Sequence, residues 1–514
     1  MRRLVGLATV TALVAVLAPA LPAAAAPTGA ALSWGDCPDP ILGIPRDPRT
    51  RCATVGVPMN YRDPRGATIT VTISRIATSV PGQRRGVLLI NPGGPGGSGL
   101  DLPSYFAAAL PAEVLARYDL IGMDPRGVWA STPISCGLEN TNQIDDILGY
   151  PDPDGSIDRN VAFARATAQS CAAHTGALLP HISTANTARD MDRIRAALGE
   201  PKMSYLGYSY GTYLGAVYAT LFPSRTDRVI LDSAVDPTRV WHEAWKLFGI
   251  GTALRFPDFA TWAAARDATY HLGATPDAVR RTYFRIAAAL DAEPVVLPDF
   301  VLNGNVFREI TRSGLYGDLA FPSLAETWQS LSTPGAAGLG QLARAVQATD
   351  PIENSYSVLF AIACNDVAWS RDVAGYAREV AVHRAVWPLT AGWPANIWPC
   401  AFWSRPVEPP VRVTSAGPRN ILILQNLRDP ATPWIGGVGL RSALGQRAAF
   451  VTQDAGGHLI YGVRSGACTD AITNAFLVDG VLPAHDRFCA GPTPEDLSTF
   501  QAGPSVRTHV RLLG

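Results

Sequence analysis

The chain has 514 residues, with 43 basic and 43 acidic side chains. Zero formal net charge removes the basic face that a sequence-independent grip on nucleic acid needs, and 47% hydrophobic residues remove a disordered chain. At about 150 residues per domain, the length allows three units, or one large domain carrying an insertion.

Residues 1–26, MRRLVGLATVTALVAVLAPALPAAAA, read as a secretory signal peptide. Arg2 and Arg3 form the basic end, Leu4 to Leu17 the apolar stretch, and Ala24 and Ala26 an A-x-A-like cleavage site. A membrane anchor needs about 20 apolar residues, and this run ends in Pro and Ala. No later segment reaches that length, so no membrane association is expected after cleavage. The expected location is extracellular.

An oxidising compartment changes how the cysteines read. Cys37, Cys52, Cys136, Cys171, Cys364, Cys400, Cys468 and Cys489 are an even set, for which disulfides are the default. None lies in a C-x-x-C pair, which argues against zinc. Pairing between neighbours would close four local loops: 37 with 52, 136 with 171, 364 with 400, and 468 with 489.

Strand-like and helix-like segments then alternate. Ala67 to Ala77 (ATITVTISRIA) has the period of a half-buried antiparallel strand. GVLLIN (Gly86–Asn91) and YDLIGMD (Tyr118–Asp124) read as buried strands. Thr187 to Leu198 is helical in period, Met203 to Gly207 a strand, Gly211 to Leu221 a helix, and Arg228 to Asp232 a strand. This alternation predicts a mostly parallel, doubly wound α/β sheet. From 238 to 410 the texture becomes helical, as in Val240–Phe248 and Asp277–Leu290. Strands return at NILILQ (Asn420–Gln425) and at Ala448 to Thr452. The predicted organisation is a signal peptide (1–26), a first sheet portion (27–237), an inserted helical cap (238–410) and a closing sheet portion (411–514).

The chemistry concentrates at Gly207-Tyr208-Ser209-Tyr210-Gly211, a G-x-S-x-G between a predicted strand and a predicted helix. That is the setting of a nucleophile elbow, where only glycine tolerates the crowding on either side of the serine. A serine hydroxyl needs a base. His458, in Ala455-Gly456-Gly457-His458, follows a late strand and is the candidate. The orienting acid is expected from the loop after NILILQN, at Asp429; Asp232 is its rival, and Asp454 lies too near His458. The oxyanion donors are the Tyr210 N–H and an N–H of Asn91-Pro92-Gly93-Gly94-Pro95-Gly96-Gly97-Ser98-Gly99. Pro92 and Pro95 lack an N–H, leaving Gly94 or Gly93. A phosphate-binding loop is excluded by the missing Lys of the P-loop pattern.

NPGGPGGSG, DPRGVWAS (Asp124–Ser131), GYSYGTYLGAVYA, LDSAVDP (Leu231–Pro237), NLRDPATP and GGH, in that order, resemble the secreted tripeptidyl aminopeptidases of Streptomyces and other actinomycetes. The resemblance covers roughly residues 35 to 495. It implies an α/β-hydrolase fold, relatedness to prolyl iminopeptidases, and Ser209, Asp429 and His458 as triad. PGGPGG resembles the HGGPG-type loop of prolyl iminopeptidases, with Pro92 in place of the His. Cys468, Cys489 and Cys364-Asn365-Asp366 fit the family's pattern. One departure is Leu459, where relatives often have Gly; it is expected to narrow the site beside the base.

The implied activity is a serine exopeptidase that releases tripeptides from free N-termini, as a monomer without metal or organic cofactor. The substrate amine calls for a carboxylate in the cap. Glu243 and Asp366 are the leading candidates, beside Glu309, Glu326 and Glu353. Nine tryptophans of the insertion (such as Trp241, Trp245, Trp393 and Trp398) are candidates for an apolar pocket or for plain core. Fold and triad do not fix the leaving group, so an esterase or other acyl hydrolase is the alternative. A secreted binding protein without catalysis is a further one, against which the intact triad candidates speak.

Overall fold

The computed structural model describes residues 32–41, 45–141, 143–297, 300–332 and 351–492. The segment 1–26 and its cleavage site lie outside them. The main sheet contains β1 (Arg51–Pro58), β2 (Thr68–Ile76), β3 (Gly86–Asn91), β4 (Tyr118–Met123), β5 (Met203–Tyr208) and β6 (Thr226–Asp232). After the insertion, whose described residues hold only the two-residue strands β7 (Val295–Val296) and β8 (Val301–Leu302), it continues with β9 (Ile421–Arg428), β10 (Ala448–Gly456) and β11 (Arg487–Ala490). Its order is β1-β2-β4-β3-β5-β6-β9-β10-β11. Only β2 runs against the others, pairing antiparallel with β1 and β4.

The strands follow from their residues. β3, β4 and β5 are buried at every position, as continuous apolar runs must be when helices cover both faces. Successive side chains then serve opposite layers. Leu89, Ile121, Tyr205, Leu231 and Ile423 enter one apolar cluster; Leu88, Leu120, Leu206, Ile230 and Leu422 enter the other. Helices Thr184–Ala197 and Tyr210–Leu221 pack on the first through Met191, Ile194, Leu214 and Val217. Helices Leu102–Ala109 and Ala467–Asp479 pack on the second through Phe106, Phe476 and Leu477. The sheet is thus doubly wound.

Between β6 and β9 stand the helices His242–Ala264, Pro276–Ala292, Gly304–Gly314, Phe321–Ser332, Pro351–Asp366 and Val373–Val386. They have a cluster of their own around Phe259, Tyr283, Phe307 and Trp328. Val358, Ala361 and Ile362 of the Pro351–Asp366 helix instead join the core of the sheet. The insertion is therefore rooted in the main core, and the described residues form one compact unit. No described helix is long and apolar enough to cross a membrane.

The cysteines pair as Cys37–Cys52, Cys136–Cys171, Cys364–Cys400 and Cys468–Cys489. The sequence separation across Cys364–Cys400 is 36. Opening a loop of that size costs about 3–4 kcal/mol by chain entropy. The double variant Cys364→Ala/Cys400→Ala is expected to lose that much in urea unfolding. An unchanged midpoint would contradict the entropic estimate.

Candidate active site

Ser209 stands at the abrupt junction of β5 and the Tyr210–Leu221 helix. It is the only residue from Met203 to Ala219 that is not fully buried. Its backbone adopts φ 54°, a left-handed conformation that a non-glycine residue holds at about 1–3 kcal/mol of strain. A Cβ at Gly207 would meet the Gly211 carbonyl oxygen at 2.4 Å, and one at Gly211 the Asn91 Oδ1 at 2.7 Å. Both glycines are therefore required by contact. Tyr210 opens the helix, so its N–H has no intrahelical acceptor.

The loop after β3 runs directly beside this elbow. A Cβ at Gly93 would lie 3.0 Å from Ser209 Cβ and 3.2 Å from Tyr210 N. The Gly93 N–H donates to Asn91 Oδ1 at 3.1 Å, whereas Gly94 is exposed between buried neighbours. Of the two glycines left open by the sequence, Gly94 is thus the one with a free N–H. The loop's far end is pinned by Asp124, whose carboxylate accepts from Ser98 Oγ and from the Gly99 and Ala130 N–H groups. This explains the aspartate of DPRGVWAS. The arginine of that motif, Arg126, is fully buried and paired with Asp190 at 2.7 Å.

Asp429 follows β9 and His458 follows β10, so both emerge at the carboxyl edge where Ser209 sits. His458 Nδ1 lies 2.8 Å from Asp429 Oδ2 and 3.0 Å from Oδ1. The Ala431 and Thr432 N–H groups donate to Asp429 Oδ1 at 2.8 and 2.9 Å, and Thr432 Oγ1 donates to Oδ2 at 3.0 Å. With Nδ1 on the carboxylate, Nε2 is on the opposite side of the ring, free to meet a hydroxyl.

Asp232, the rival acid, serves the backbone. Its carbonyl accepts the Ser209 N–H at 3.0 Å. Its carboxylate accepts the Ile460 N–H at 3.1 Å and the Tyr461 N–H at 2.8 Å, and Ser233 Oγ accepts the Leu459 N–H at 2.9 Å. One residue thereby ties the elbow to the segment that carries His458. Burial pushes the Asp232 carboxyl up to about 7, against the pull of its Tyr461, Ser233 and Ile460 donors.

That shift has a pH consequence. The folded value exceeds the unfolded one, so the stabilisation is complete below about pH 4 and is lost as pH rises through about 7. The wild-type Tm is expected to carry this decline between about pH 4 and about pH 7, and Asp232→Asn to lack it, from a lower starting Tm. Equal slopes in thermal scans of the two proteins would refute the assignment.

The cap carboxylates are placed as follows. Glu243 is half exposed and bound to Lys246 Nζ at 2.5 Å. Asp366 is buried, accepting from Thr184 N (2.8 Å), Thr184 Oγ1 (2.6 Å) and Trp241 Nε1 (3.0 Å), and burial raises its carboxyl to about 6. Both therefore already have partners, Glu243 an ammonium and Asp366 three hydrogen-bond donors. Glu353 accepts from Ser135, Cys136 and Ser357; Glu309 from Arg312, Tyr150 and Ser313; Glu326 is exposed. Leu459, beside the base, is only 2% exposed and belongs to the apolar cluster that includes Leu424 and Ile460. Of the insertion's tryptophans, Trp241, Trp328, Trp393, Trp398 and Trp403 are buried.

Sequence reasoning did not find Tyr316, whose carbonyl accepts the His458 N–H at 2.8 Å and whose ring lies 5.2 Å from the imidazole. It also passed over Thr432 and Arg464. The DPAT spacing was a signal for Thr432: an aspartate commonly caps N–H groups two and three residues onward.

Fold and family together define a serine hydrolase. Residues 86–464 match the family model described as the alpha/beta hydrolase fold. Tripeptidyl aminopeptidase of Streptomyces lividans is 36% identical over 91% of this chain and 88% of its own length. Serine protease Hip1 of Mycobacterium tuberculosis is 32% identical over 90% of this chain and 91% of its own. Carboxylesterase B of the same species is 31% identical over 89% and 90%. The chain belongs to the tripeptidyl aminopeptidase family of alpha/beta hydrolases.

Proposed function

We propose that the protein is a secreted serine exopeptidase that releases short peptides, tripeptides foremost, from free N-termini. One observation carries the reading. The Asp429 carboxylate holds His458 Nδ1 at 2.8 Å on the same sheet edge where the strained elbow raises Ser209. Ser209 Oγ attacks the scissile carbonyl while His458 Nε2 takes its proton. The Gly94 and Tyr210 N–H groups receive the oxyanion. His458 then protonates the leaving amine, and water resolves the acyl-enzyme by the reverse proton path. Asp429 fixes the tautomer and stabilises the imidazolium. The likeness to Streptomyces lividans tripeptidyl aminopeptidase supports the peptide substrate, and four disulfides support an oxidising location.

Ester hydrolysis is the second reading, favoured by the likeness to carboxylesterase B. A substrate panel separates the two: aminoacyl-, dipeptidyl- and tripeptidyl-amides, N-blocked forms of each, and simple esters. Turnover confined to free tripeptidyl amides is expected. Equal turnover of blocked amides would remove the N-terminal requirement, and turnover of esters alone would favour the second reading.

A further inference from the structure

The segment that carries His458 is gripped from two sides. From the sheet, Asp232 and Ser233 hold the N–H groups of Leu459, Ile460 and Tyr461. From the insertion, the contacts converge on a single carbonyl. Tyr316 follows the Gly304–Gly314 helix, and its oxygen accepts the His458 N–H at 2.8 Å. Arg464 Nη1 donates to that same Tyr316 oxygen and to the His458 carbonyl oxygen. Both peptide groups of His458 are therefore fixed, one by the insertion and one by an arginine that also touches the insertion.

Two glycines make the approach possible. A Cβ at Gly457, whose φ is +100°, would lie 2.7 Å from Arg464 Nη1 and 2.7 Å from the Tyr316 oxygen. A Cβ at Gly317 would lie 2.6 Å from Arg464 Nη2. The glycine before the histidine in GGH thus admits the cap's carbonyl and the guanidinium. Desolvation draws the Arg464 pKa down to about 10, with Asp318 opposing it. A cation withdrawn from water is tolerable where acceptors replace the water, as these carbonyls do.

We infer that Arg464 is a positioning residue that makes the alignment of His458 depend on the seating of the Tyr316 turn of the insertion. The inference rests on the reading of His458 as the general base. Lifting the Tyr316 turn removes an acceptor from the His458 N–H and from Arg464 together. A displacement of about 1 Å in a catalytic group costs about 10²-fold in rate. The alignment of the base accordingly depends on the Tyr316 turn keeping its place beside Arg464.

The test compares wild type, Arg464→Met, Arg464→Lys and Ser209→Ala. Each is measured by kcat and KM on a free tripeptidyl amide, by the rate of Ser209 labelling with a small fluorophosphonate, and by Tm. The fluorophosphonate needs the activated serine but makes no contact along a peptide subsite. Arg464→Met is expected to lower kcat about 10- to 100-fold with KM nearly constant, and to slow labelling by the same factor. Arg464→Lys, which keeps a cationic donor, is expected to recover part of both. Should the Met variant fail to fold, Arg464→Gln, with one amide donor, is read in its place. Unchanged kcat, or a change in KM alone with normal labelling, would overturn the inference. The two failures are distinct: a fully active Ser209→Ala removes the functional reading itself, whereas an inactive Ser209→Ala beside a fully active Arg464→Met removes only the role of Arg464.

Discussion

Ser209→Ala is expected to lower kcat on peptide amides by about 10⁴- to 10⁶-fold with Tm unchanged or slightly raised. The methyl of alanine occupies the space of the serine Cβ, so the elbow keeps its backbone path and loses only the hydroxyl. Asp429→Asn is expected to cost about 10⁴-fold, for a reason specific to these contacts. The carboxylate receives two backbone N–H groups on Oδ1 and Thr432 Oγ1 and His458 on Oδ2. An asparagine satisfies the backbone donors only by keeping its oxygen at Oδ1. Its NH₂ then faces His458 Nδ1, which must become an acceptor. The ring proton moves to Nε2, and the imidazole can no longer take a proton from Ser209. Steady-state kinetics on a free tripeptidyl amide, with circular dichroism as the folding control, check both variants. Ser209→Ala retaining a tenth of wild-type kcat would remove the serine mechanism.

The parts of this site that were legible in the sequence are those where backbone crowding restricts residue type. Gly207 and Gly211 are glycines because backbone and side-chain atoms stand within 3 Å of where their Cβ would be, and such constraints leave a motif. The buried strands were legible for a related reason, since burial on both faces admits only apolar runs such as GVLLIN. β1 was missed because Gly56 and Pro58 interrupt its pattern, and β11 because four residues carry no period. Tyr316 was invisible because it acts through a carbonyl, which every residue type supplies. The setting of Asp366 was not legible because a buried carboxylate's partners, here Thr184 and Trp241, come from remote parts of the chain. Asp232 was seen as a rival acid, and only its contacts with Ser209, Ile460 and Tyr461 reveal a structural tie.

Gly93→Ala carries the second large effect, because nothing around Gly93 can give way. The added Cβ would lie 2.5 Å from the Tyr208 carbonyl oxygen, 3.0 Å from Ser209 Cβ and 3.2 Å from Tyr210 N. Most of these are backbone atoms of the elbow itself, and φ +98° is strained for alanine besides. The loop must therefore retreat from Ser209, carrying the Gly94 N–H with it. Displacing one oxyanion donor costs about 10²- to 10³-fold in kcat, equivalent to about 2.7–4 kcal/mol. The loss is expected in kcat more than in KM, since the donor meets charge that develops only in the transition state. Gly56→Ala is the control: a Cβ there has no atom within 4 Å, and activity is expected to persist. If Gly93→Ala folds and turns over at the wild-type rate, the loop after β3 does not supply the oxyanion donor, and the second N–H must be sought elsewhere around Ser209.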